Sequence, residues 1–341
     1  MNGGHHLCIL GAGAWGTALA HCWAHCGAGN QLSGAPRFES VSLIARTQTQ
    51  ADDIGHAGEN QRYLPGQKLA KNLHVTGNLK ALKAATHVAC VTPAQGFADL
   101  SKTIAPLLPQ TTTLLLCSKG IDAASGRTMS QIAEANLPGR PVAVLSGPSF
   151  AHDVVRNLPT AVTLAHRDGE DAAMALAQLF STQFLRIYPT GDVVGVEAGG
   201  ALKNIFAIAV GVARGLELGA SAEAALTARG FAELTRLAVA MGGGAQTLSG
   251  LSGLGDLILT CASTQSRNFA YGVALARDEV TPDLPLAEGA KSAQAALKLA
   301  RDKDIDVPII EAVSNLIAGA LSPLEAVDAL LSRPLRSETS S

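Results

Sequence analysis

The chain has 341 residues, of which 47% are apolar and 16% charged, and its 26 Lys and Arg against 28 Asp and Glu leave a net charge of −2. This apolar share excludes a disordered chain, because disorder requires low hydrophobicity together with high net charge. The 35 glycines have no three-residue period, which excludes collagen. The balanced charge argues against a nucleic-acid-binding protein but allows a local basic site for a small anion.

The apolar runs do not predict a membrane span. The run at 204–213 is too short and the one at 237–255 is interrupted by glycines and polar residues. The first apolar run, 7–10, is too short for a signal peptide. Three of the six cysteines lie in strand-like apolar runs, as buried free thiols do, so we expect a reducing cytoplasm.

The first part of the chain alternates strand-like and helix-like patterns. Strands are predicted at 7–10, 41–44, 87–92, 113–117, 142–145, 161–165 and 184–188, and helices at 15–26, 95–107 and 170–180. Near-continuous apolar strands are typical of a mainly parallel sheet that is buried on both faces. The alternation predicts an α/β fold with a doubly wound, Rossmann-type sheet domain.

From residue 193 the pattern changes to Ala-rich and Leu-rich helices that are separated by glycine clusters. The boundary is therefore placed near residue 190. Residues 1–190 form the predicted dinucleotide-binding domain, and residues 191–341 form an all-α domain for substrate binding and catalysis.

A glycine motif, G-x-G-x-x-G, directly follows the first strand and opens the first helix at 11–16. In such a turn Gly11 permits the tight bend, Gly13 lets the backbone approach a pyrophosphate, and Gly16 allows the helix to pack closely on the strand. Amides at the helix N-terminus then face the phosphates. The alternative is a glycine-rich turn without a ligand.

The end of the second strand carries Arg46 and no acidic residue. An acid at this point binds the ribose 2′-hydroxyl of NAD, whereas an arginine suits the 2′-phosphate of NADP. This favours NADPH over NADH, or tolerance of both. A solvated surface arginine is the alternative.

The first helix also contains His21, Cys22, His25 and Cys26, which form two pairs at i,i+4 spacing. Metal ions can use this spacing. No matching ligand set is found elsewhere in the sequence, so packing residues are favoured and no metal is predicted.

Lys203 and Asn204 lie early in a helix that is apolar on all sides, which is typical of a buried helix. A buried ammonium is costly and tends to have a lowered pKa, which suits a general acid or base. The equally weighted alternative is a lysine that pairs with a nearby carboxylate such as Glu197.

Polar motifs follow two of the strands, at 118–120 and 146–149, and ligands bind at the carboxyl ends of parallel strands. The helical part adds two more, at 253–256 and 266–268. Arg267 precedes a helical run at 269–276, so its guanidinium and the helix amides together predict a phosphate site. An ordinary capped helix start is the alternative.

These motifs together resemble those of the bacterial NAD(P)-dependent glycerol-3-phosphate dehydrogenases. The resemblance is nearly full-length and rests on motifs in the same order, which are GAGAWGTALA (11–20), CSKG (117–120), LSGPSFA (145–151), EAGGALKN (197–204), LSGLGDLILTC (251–261) and QSRN (265–268). It implies a cytoplasmic, usually homodimeric enzyme. Such an enzyme reduces dihydroxyacetone phosphate, a small phosphorylated triose, reversibly to sn-glycerol 3-phosphate for phospholipid synthesis.

The resemblance also implies residue roles. Lys203 is implied as the catalytic acid and base, with Lys119 and Asn204 stabilising the reacting oxygen and Asp256 orienting Lys203. The residues implied around the substrate are Lys119, Gly147, Ser149, Lys203, Asp256, Ser266, Arg267 and Asn268. Those implied to contact the dinucleotide are Ala14, Trp15, Arg46, Lys119, Ala151, Arg267, Leu286 and Glu288, of which Leu286 and Glu288 lie in a loosely matching loop.

Two other functions compete with this interpretation. A β-hydroxyacid dehydrogenase shares a Lys-Asn pair on a buried helix, but its carboxylate substrate does not explain the Gly-Asp and Ser-Arg-Asn motifs. A dinucleotide-binding sensor without catalysis would not require Lys203 and a complete phosphate pocket.

Overall fold

The structure is a computed structural model that describes residues 4–27, 38–281 and 287–334. The chain divides into two compact units. The first contains Met1–Ser118 and Met129–Val193, and the second contains Lys119–Thr128 and Val194–Ser341.

Within its described residues the first unit contains one sheet of eight strands. They are β1 (His6–Leu10), β2 (Ser40–Ile44), β3 (Leu73–Thr76), β4 (His87–Cys90), β5 (Thr113–Leu116), β6 (Val142–Ser146), β7 (Thr160–His166) and β8 (Leu185–Thr190). The order is β3-β2-β1-β4-β5-β6-β7-β8, and only the β6–β7 pairing is antiparallel. The predicted α/β sheet domain is confirmed. The sequence missed β3, an edge strand in which only Thr76 is buried, so it lacks the apolar run of a central strand.

Helices flank these strands in the sequence of the first unit. They are α1 (Ala14–Gly27), α2 (Gln48–Ala57), α3 (Phe97–Ile104), α4 (Met129–Asn136), α5 (Ala151–Val155) and α6 (Glu170–Phe180). The predicted helix at 95–107 is wrong in extent, because α3 ends at Ile104 and a short 3₁₀ turn, Ala105–Leu107, follows it. Pro106 explains this end, since proline lacks the N–H that would continue the helix.

Beyond residue 193 the described part of the second unit is helical. Its helices are α7 (Val193–Gly215), α8 (Ala220–Ala240), α9 (Ala245–Leu248), α10 (Asp256–Cys261), α11 (Arg267–Ala276), α12 (Glu288–Asp302), α13 (Pro308–Ile317) and α14 (Pro323–Leu331). A π-helical turn, Leu251–Gly255, leads into α10. Helix α7 lies in the core, with 18 of its 23 residues buried. Among the described residues it alone has the length and hydropathy of a membrane span, and 83% of its most apolar window is buried in the protein.

The segment Lys119–Thr128 differs from the sequence interpretation. The boundary near residue 190 assigns it to the first domain, whereas the structure groups it with the second unit. Ile121 is fully buried in the helical core, and its backbone N–H donates to Ser292 Oγ at 3.4 Å. Burial of this apolar side chain among helices explains the grouping.

Candidate active site

In the glycine turn of the first unit, backbone atoms lie close to two of the three glycines. Gly11 has a φ of +113°, and a Cβ there would lie 2.8 Å from the carbonyl oxygen of Val91. A Cβ at Gly16 would overlap the carbonyl oxygen of Gly11. A Cβ at Gly13, in contrast, would meet no atom within 4 Å. The first and third glycines are therefore required by the fold, while the second leaves an open space beside the backbone.

The start of α1 fits an anionic ligand. Its first turn, which includes Ala14 and Trp15, contains no acidic residue, so its amides and the positive end of the helix dipole are not neutralised. The side chain of Asn60 steadies the turn by donating to Ala12 O at 3.0 Å and to Thr17 Oγ1 at 2.8 Å. The buried Trp15 Nε1 lacks a hydrogen-bond partner within the described part of the chain. The open space at Gly13 and these donors fit the pyrophosphate of a dinucleotide.

Arg46 lies just beyond β2 and is exposed. Its backbone N–H is bound by Gln50 Oε1 at 3.2 Å. Among the described residues its guanidinium has no salt-bridge partner, so it is available for an anion at the position expected of a 2′-phosphate. The preference for NADPH stays a prediction.

A second loop of the first unit follows β6. Gly147 has a φ of +149°, and a Cβ there would lie 2.8 Å from Val162 Cα. Ser149 Oγ donates to Gly147 O at 3.0 Å, and Ala151 is the first residue of α5. The roles of Gly147 and Ser149 towards substrate, and of Ala151 towards the cofactor, stay predictions.

In the second unit Lys203 is 6% exposed, and its ammonium donates two hydrogen bonds. Its Nζ donates to Asp256 Oδ1 at 2.6 Å and to Thr260 Oγ1 at 2.7 Å. The hydroxyl of Thr260 in turn donates to the backbone oxygen of Asp256 at 2.6 Å, which directs a lone pair towards the ammonium. The ammonium is thus held between two oxygens of one helix.

Asp256 also binds the second lysine of the sequence prediction. It is 1% exposed, and its Oδ2 accepts from Lys119 Nζ at 2.8 Å. The carboxylate therefore uses one oxygen for each lysine, as a buried charge requires. The sequence alternative that pairs Lys203 with Glu197 is wrong as to the partner, because residues six apart in a helix lie on different faces.

Sequence reasoning missed Thr260. Asp256 and Thr260 are four residues apart in α10, a spacing that places both side chains on one helix face. This spacing is the signal that identifies Thr260 once Asp256 is a candidate.

Burial lowers the pKa of Lys203 to about 8. The Asp256 carboxylate acts in the opposite direction and the Lys119 ammonium reinforces the lowering. A lysine with this pKa exchanges a proton near neutral pH, which is the requirement for a general acid and base.

The residue that follows Lys203 in α7 belongs to a chain of amide hydrogen bonds. Asn268 Nδ2 donates to Asn204 Oδ1 at 2.9 Å, and the backbone N–H of Gly289 donates to Asn268 Oδ1 at 2.8 Å. Both asparagines are buried. Helices α7, α11 and α12 are therefore connected at this point.

The start of α11 combines a capped helix with a free cation. The helix begins at Arg267 rather than at residue 269, and Ser266 Oγ accepts the backbone N–H of Phe269 at 3.3 Å. The Arg267 side chain is exposed and makes no hydrogen bond to any described residue. Its fork and the helix amides match a phosphate chemically.

Glu288 is the first residue of α12. Its Oε2 is buried and lacks a hydrogen-bond partner in the described part of the chain. Burial raises the pKa of its carboxyl, and the charges of Lys291 and Arg267 oppose this. A buried unpaired acceptor fits a donor group of a ligand. Leu286, its predicted companion in cofactor binding, lies outside the described residues.

The histidine pair of α1 has packing contacts. His21 Nδ1 accepts the backbone N–H of Ala70 at 3.0 Å, its ring stacks on that of His25 at 5.5 Å, and burial lowers its pKa to about 4. Cys22 Sγ lies 3.6 Å from Thr182 Oγ1. Within the described residues no three His, Cys, Asp or Glu side chains are grouped for a metal ion. The side chain of Cys26 lies outside the described part of the chain.

Two family models match the chain. The N-terminal model of NAD-dependent glycerol-3-phosphate dehydrogenase matches residues 6–172, and the C-terminal model matches residues 192–328. A curated glycerol-3-phosphate dehydrogenase [NAD(P)+] from Mesorhizobium japonicum is 48% identical over 97% of this chain and 93% of its own length. One from Chelativorans is 47% identical over 97% of this chain and 98% of its own.

Solved structures show the same similarity. The crystal structure of glycerol-3-phosphate dehydrogenase from Coxiella burnetii has a TM-score of 0.88 and 35% identity, and the match covers 97% of this chain and 99% of that one. A ketopantoate reductase from Ralstonia eutropha has a TM-score of 0.58 at 15% identity, over 95% of this chain and 99% of that one. The latter shows a related fold alone.

Proposed function

The chain belongs to the family of NAD-dependent glycerol-3-phosphate dehydrogenases and is an oxidoreductase that uses NADH or NADPH, and we propose that Lys203 is the proton donor and acceptor of its reaction. The reaction is the reversible reduction of dihydroxyacetone phosphate to sn-glycerol 3-phosphate. The observation that carries the role of Lys203 is its buried ammonium, held by Asp256 and Thr260 with a pKa lowered by burial.

The cofactor, when bound, supplies the hydride that reduces C2 of the ketone. Lys203 Nζ transfers a proton to the C2 oxygen, so that the ketone gains one hydride and one proton and becomes the alcohol. Lys203 is left as a neutral amine, which burial favours, and recovers its proton from solvent. In the oxidation direction the neutral amine accepts the hydroxyl proton.

Asp256 holds the site through both states of Lys203. Its carboxylate remains paired with Lys119 when Lys203 is neutral, so no uncompensated charge is buried. Lys119 and the amide of Asn204 stabilise the negative charge that develops on the C2 oxygen. Asp256 and Thr260 fix the direction in which Lys203 presents its third N–H.

The substrate phosphate binds at the start of α11 in this proposal. Arg267 supplies two parallel donors, and the amides behind the Ser266 cap supply the positive end of a ten-residue helix. Holding the phosphate fixes C2 relative to Lys203, which lowers the entropic part of the barrier. Gly147 and Ser149 are the further substrate residues of the proposal.

The dinucleotide is held by groups that the turn of the first unit offers. The amides at Ala14 and Trp15 bind the pyrophosphate beside Gly13, and Arg46 binds a 2′-phosphate, so NADPH is the preferred cofactor. The Glu288 carboxyl and Ala151 provide further contacts. We also propose a homodimer in the cytoplasm that supplies glycerol 3-phosphate for phospholipid synthesis, and the similarity to the bacterial relatives supports this.

The test of the proposal is the pH dependence of NADPH oxidation with dihydroxyacetone phosphate. Reduction requires the ammonium form of Lys203, so kcat should fall as the pH rises through about 8. Oxidation of glycerol 3-phosphate requires the neutral amine and should rise over the same range. A rate of reduction that is constant from pH 6 to 10, a range spanning roughly two units on each side of this pKa, would remove Lys203 from the proton transfer.

A further inference from the structure

The amide chain beside Lys203 has a fixed direction. It begins at the backbone N–H of Gly289, which donates to Asn268 Oδ1 at 2.8 Å, and continues from Asn268 Nδ2 to Asn204 Oδ1 at 2.9 Å. A backbone N–H can only donate, so the group of Asn268 that faces it must be the carbonyl oxygen. The other end of Asn268 is therefore the NH₂ group, and the atom of Asn204 that faces it must be an oxygen.

The same argument assigns the free end of Asn204. Once its oxygen is bound by Asn268, Asn204 has only its NH₂ group left for a ligand. Within the described part of the chain Asn204 Nδ2 makes no hydrogen bond, although the residue is only 6% exposed. Its donors are thus left for a ligand oxygen.

We infer that Asn268 is a positioning residue, which fixes the amide of Asn204 so that it presents donors and not an acceptor to the oxygen of the substrate. This inference rests on the proposed function. An Asn204 amide turned by half a rotation would place its carbonyl oxygen against the C2 oxygen, which repels the negative charge that develops during reduction. The orientation of the Asn204 amide therefore decides whether this residue stabilises or destabilises the negative charge on the C2 oxygen.

The packing of α12 supplies the origin of this chain. The cap residue Ala287 makes no side-chain hydrogen bond to its helix, so the first amides of α12 need outside partners. A Cβ at Gly289 would overlap the backbone oxygen of Asn204, so only glycine allows α12 to approach α7 this closely. The N–H of Gly289 thereby comes within reach of Asn268.

The resemblance implies a different role for Asn268, a direct contact with substrate. The structure leaves one N–H group of Asn268 for that role, because its oxygen is bound by Gly289 and its other N–H group is bound by Asn204. The two roles differ in their kinetic consequences. A phosphate ligand acts independently of Asn204, whereas a positioning residue acts through it.

The kinetic test is a double-mutant cycle with Asn204→Ala, Asn268→Ala and the double variant, measured by kcat for dihydroxyacetone phosphate and for dihydroxyacetone. Loss of one oriented donor costs about a hundredfold in kcat, so we expect a large loss from Asn204→Ala. Asn268→Ala should lower kcat for both substrates and add almost nothing in the Asn204→Ala background. Additive losses, or a loss confined to the phosphorylated substrate, would overturn the inference.

A second variant tests the orientation of the Asn204 amide without a measurement of activity. Asn268→Asp still accepts from Gly289 but cannot donate, so it should force Asn204 to turn its NH₂ group towards residue 268. NMR should then show slower solvent exchange of the Asn204 side-chain amide protons than in the wild type. Unchanged exchange in a folded Asn268→Asp protein would overturn the inference. If Asn268→Asp shows the slower exchange but the wild type does not reduce dihydroxyacetone phosphate, the proposed function alone is refuted.

Discussion

The glycine turn of the first unit and the lysine cluster of the second are built in opposite ways. The turn depends on three glycines, which have no side chain, within six consecutive residues, 11–16. The cluster depends on charged side chains that pair across 53 and 137 positions of sequence. A site made of backbone needs only local conformation, whereas a site made of paired buried charges needs the whole helical core around it.

The largest expected effect is a loss of catalysis at the lysine cluster without a loss of cofactor binding at the glycine turn. Lys203→Met removes the proton donor, and we expect kcat to fall by about a thousandfold. Binding of NADPH, measured by fluorescence titration, should stay within about twofold of wild type, because the turn of the first unit is untouched. Lys298→Met, which replaces an exposed lysine of α12, is the matched control and should keep full activity.

Retention of near-normal kcat in Lys203→Met would contradict its role. Loss of NADPH binding together with kcat would show that the lysine cluster is also required for the cofactor. A thermal unfolding curve distinguishes either result from misfolding, since removing one partner of a buried ion pair destabilises a protein.

The next effect concerns charge and geometry within the second unit. Arg267→Lys keeps the charge but loses the two parallel donors, so both it and Arg267→Ala should lower kcat/KM for dihydroxyacetone phosphate, the alanine variant by about a hundredfold. With dihydroxyacetone, which has no phosphate, the loss should shrink to a few-fold. Equal damage to both substrates would replace the phosphate role by a structural one.

Variants at two glycines of the turn distinguish an effect on ligand binding from an effect on folding. Gly13→Ala adds a methyl group to open space, so we expect an unchanged melting temperature and an approximately tenfold rise in KM for NADPH. Gly16→Ala forces its methyl group onto Gly11 O and should lower the free energy of unfolding by about 1–3 kcal/mol. Alanine otherwise favours a helix, so a stable Gly16→Ala protein would contradict this packing.

The smallest effect tests cofactor choice. Arg46→Ala should raise KM for NADPH several-fold, because about 1 kcal/mol of hydrogen bonding from this exposed side chain is lost, and should leave KM for NADH nearly constant. Steady-state kinetics with both cofactors measures this. If both values of KM rise equally, Arg46 does not recognise the 2′-phosphate.

The predictable part of the fold is the part with strong apolar patterns. Helix α6 begins and ends where the pattern of residues 170–180 predicts, and seven strands lie within two residues of their predicted limits. Helices α2, α4 and α5 and strand β3 are not predicted by the sequence pattern. Only Ala51 and Ile54 of α2 are buried, so its amphipathic pattern is too weak to recognise, and β3 lies at the sheet edge.

The candidate site shows the same limit. Lys203 was identified because one charge stands in a long apolar run, which is a local signal. Its pairing with Asp256 is implied only by the family resemblance, because pairing across helices depends on tertiary packing that no short window of sequence contains. The hydrogen bond between Asn204 and Asn268 is of the same kind, since the sequence marks both residues as candidates but contains no signal of their contact.

The segment Lys119–Thr128 belongs to the second unit although it lies within the sequence of the first. This arrangement restricts where two such enzymes can be recombined. A crossover at residue 193 exchanges α7 to α14 but leaves Lys119 and Ile121 with the other parent. The new helical core then receives a foreign side chain at the fully buried position 121, and Asp256 receives a foreign partner at position 119. A viable chimera must therefore transfer two separate stretches of the gene together.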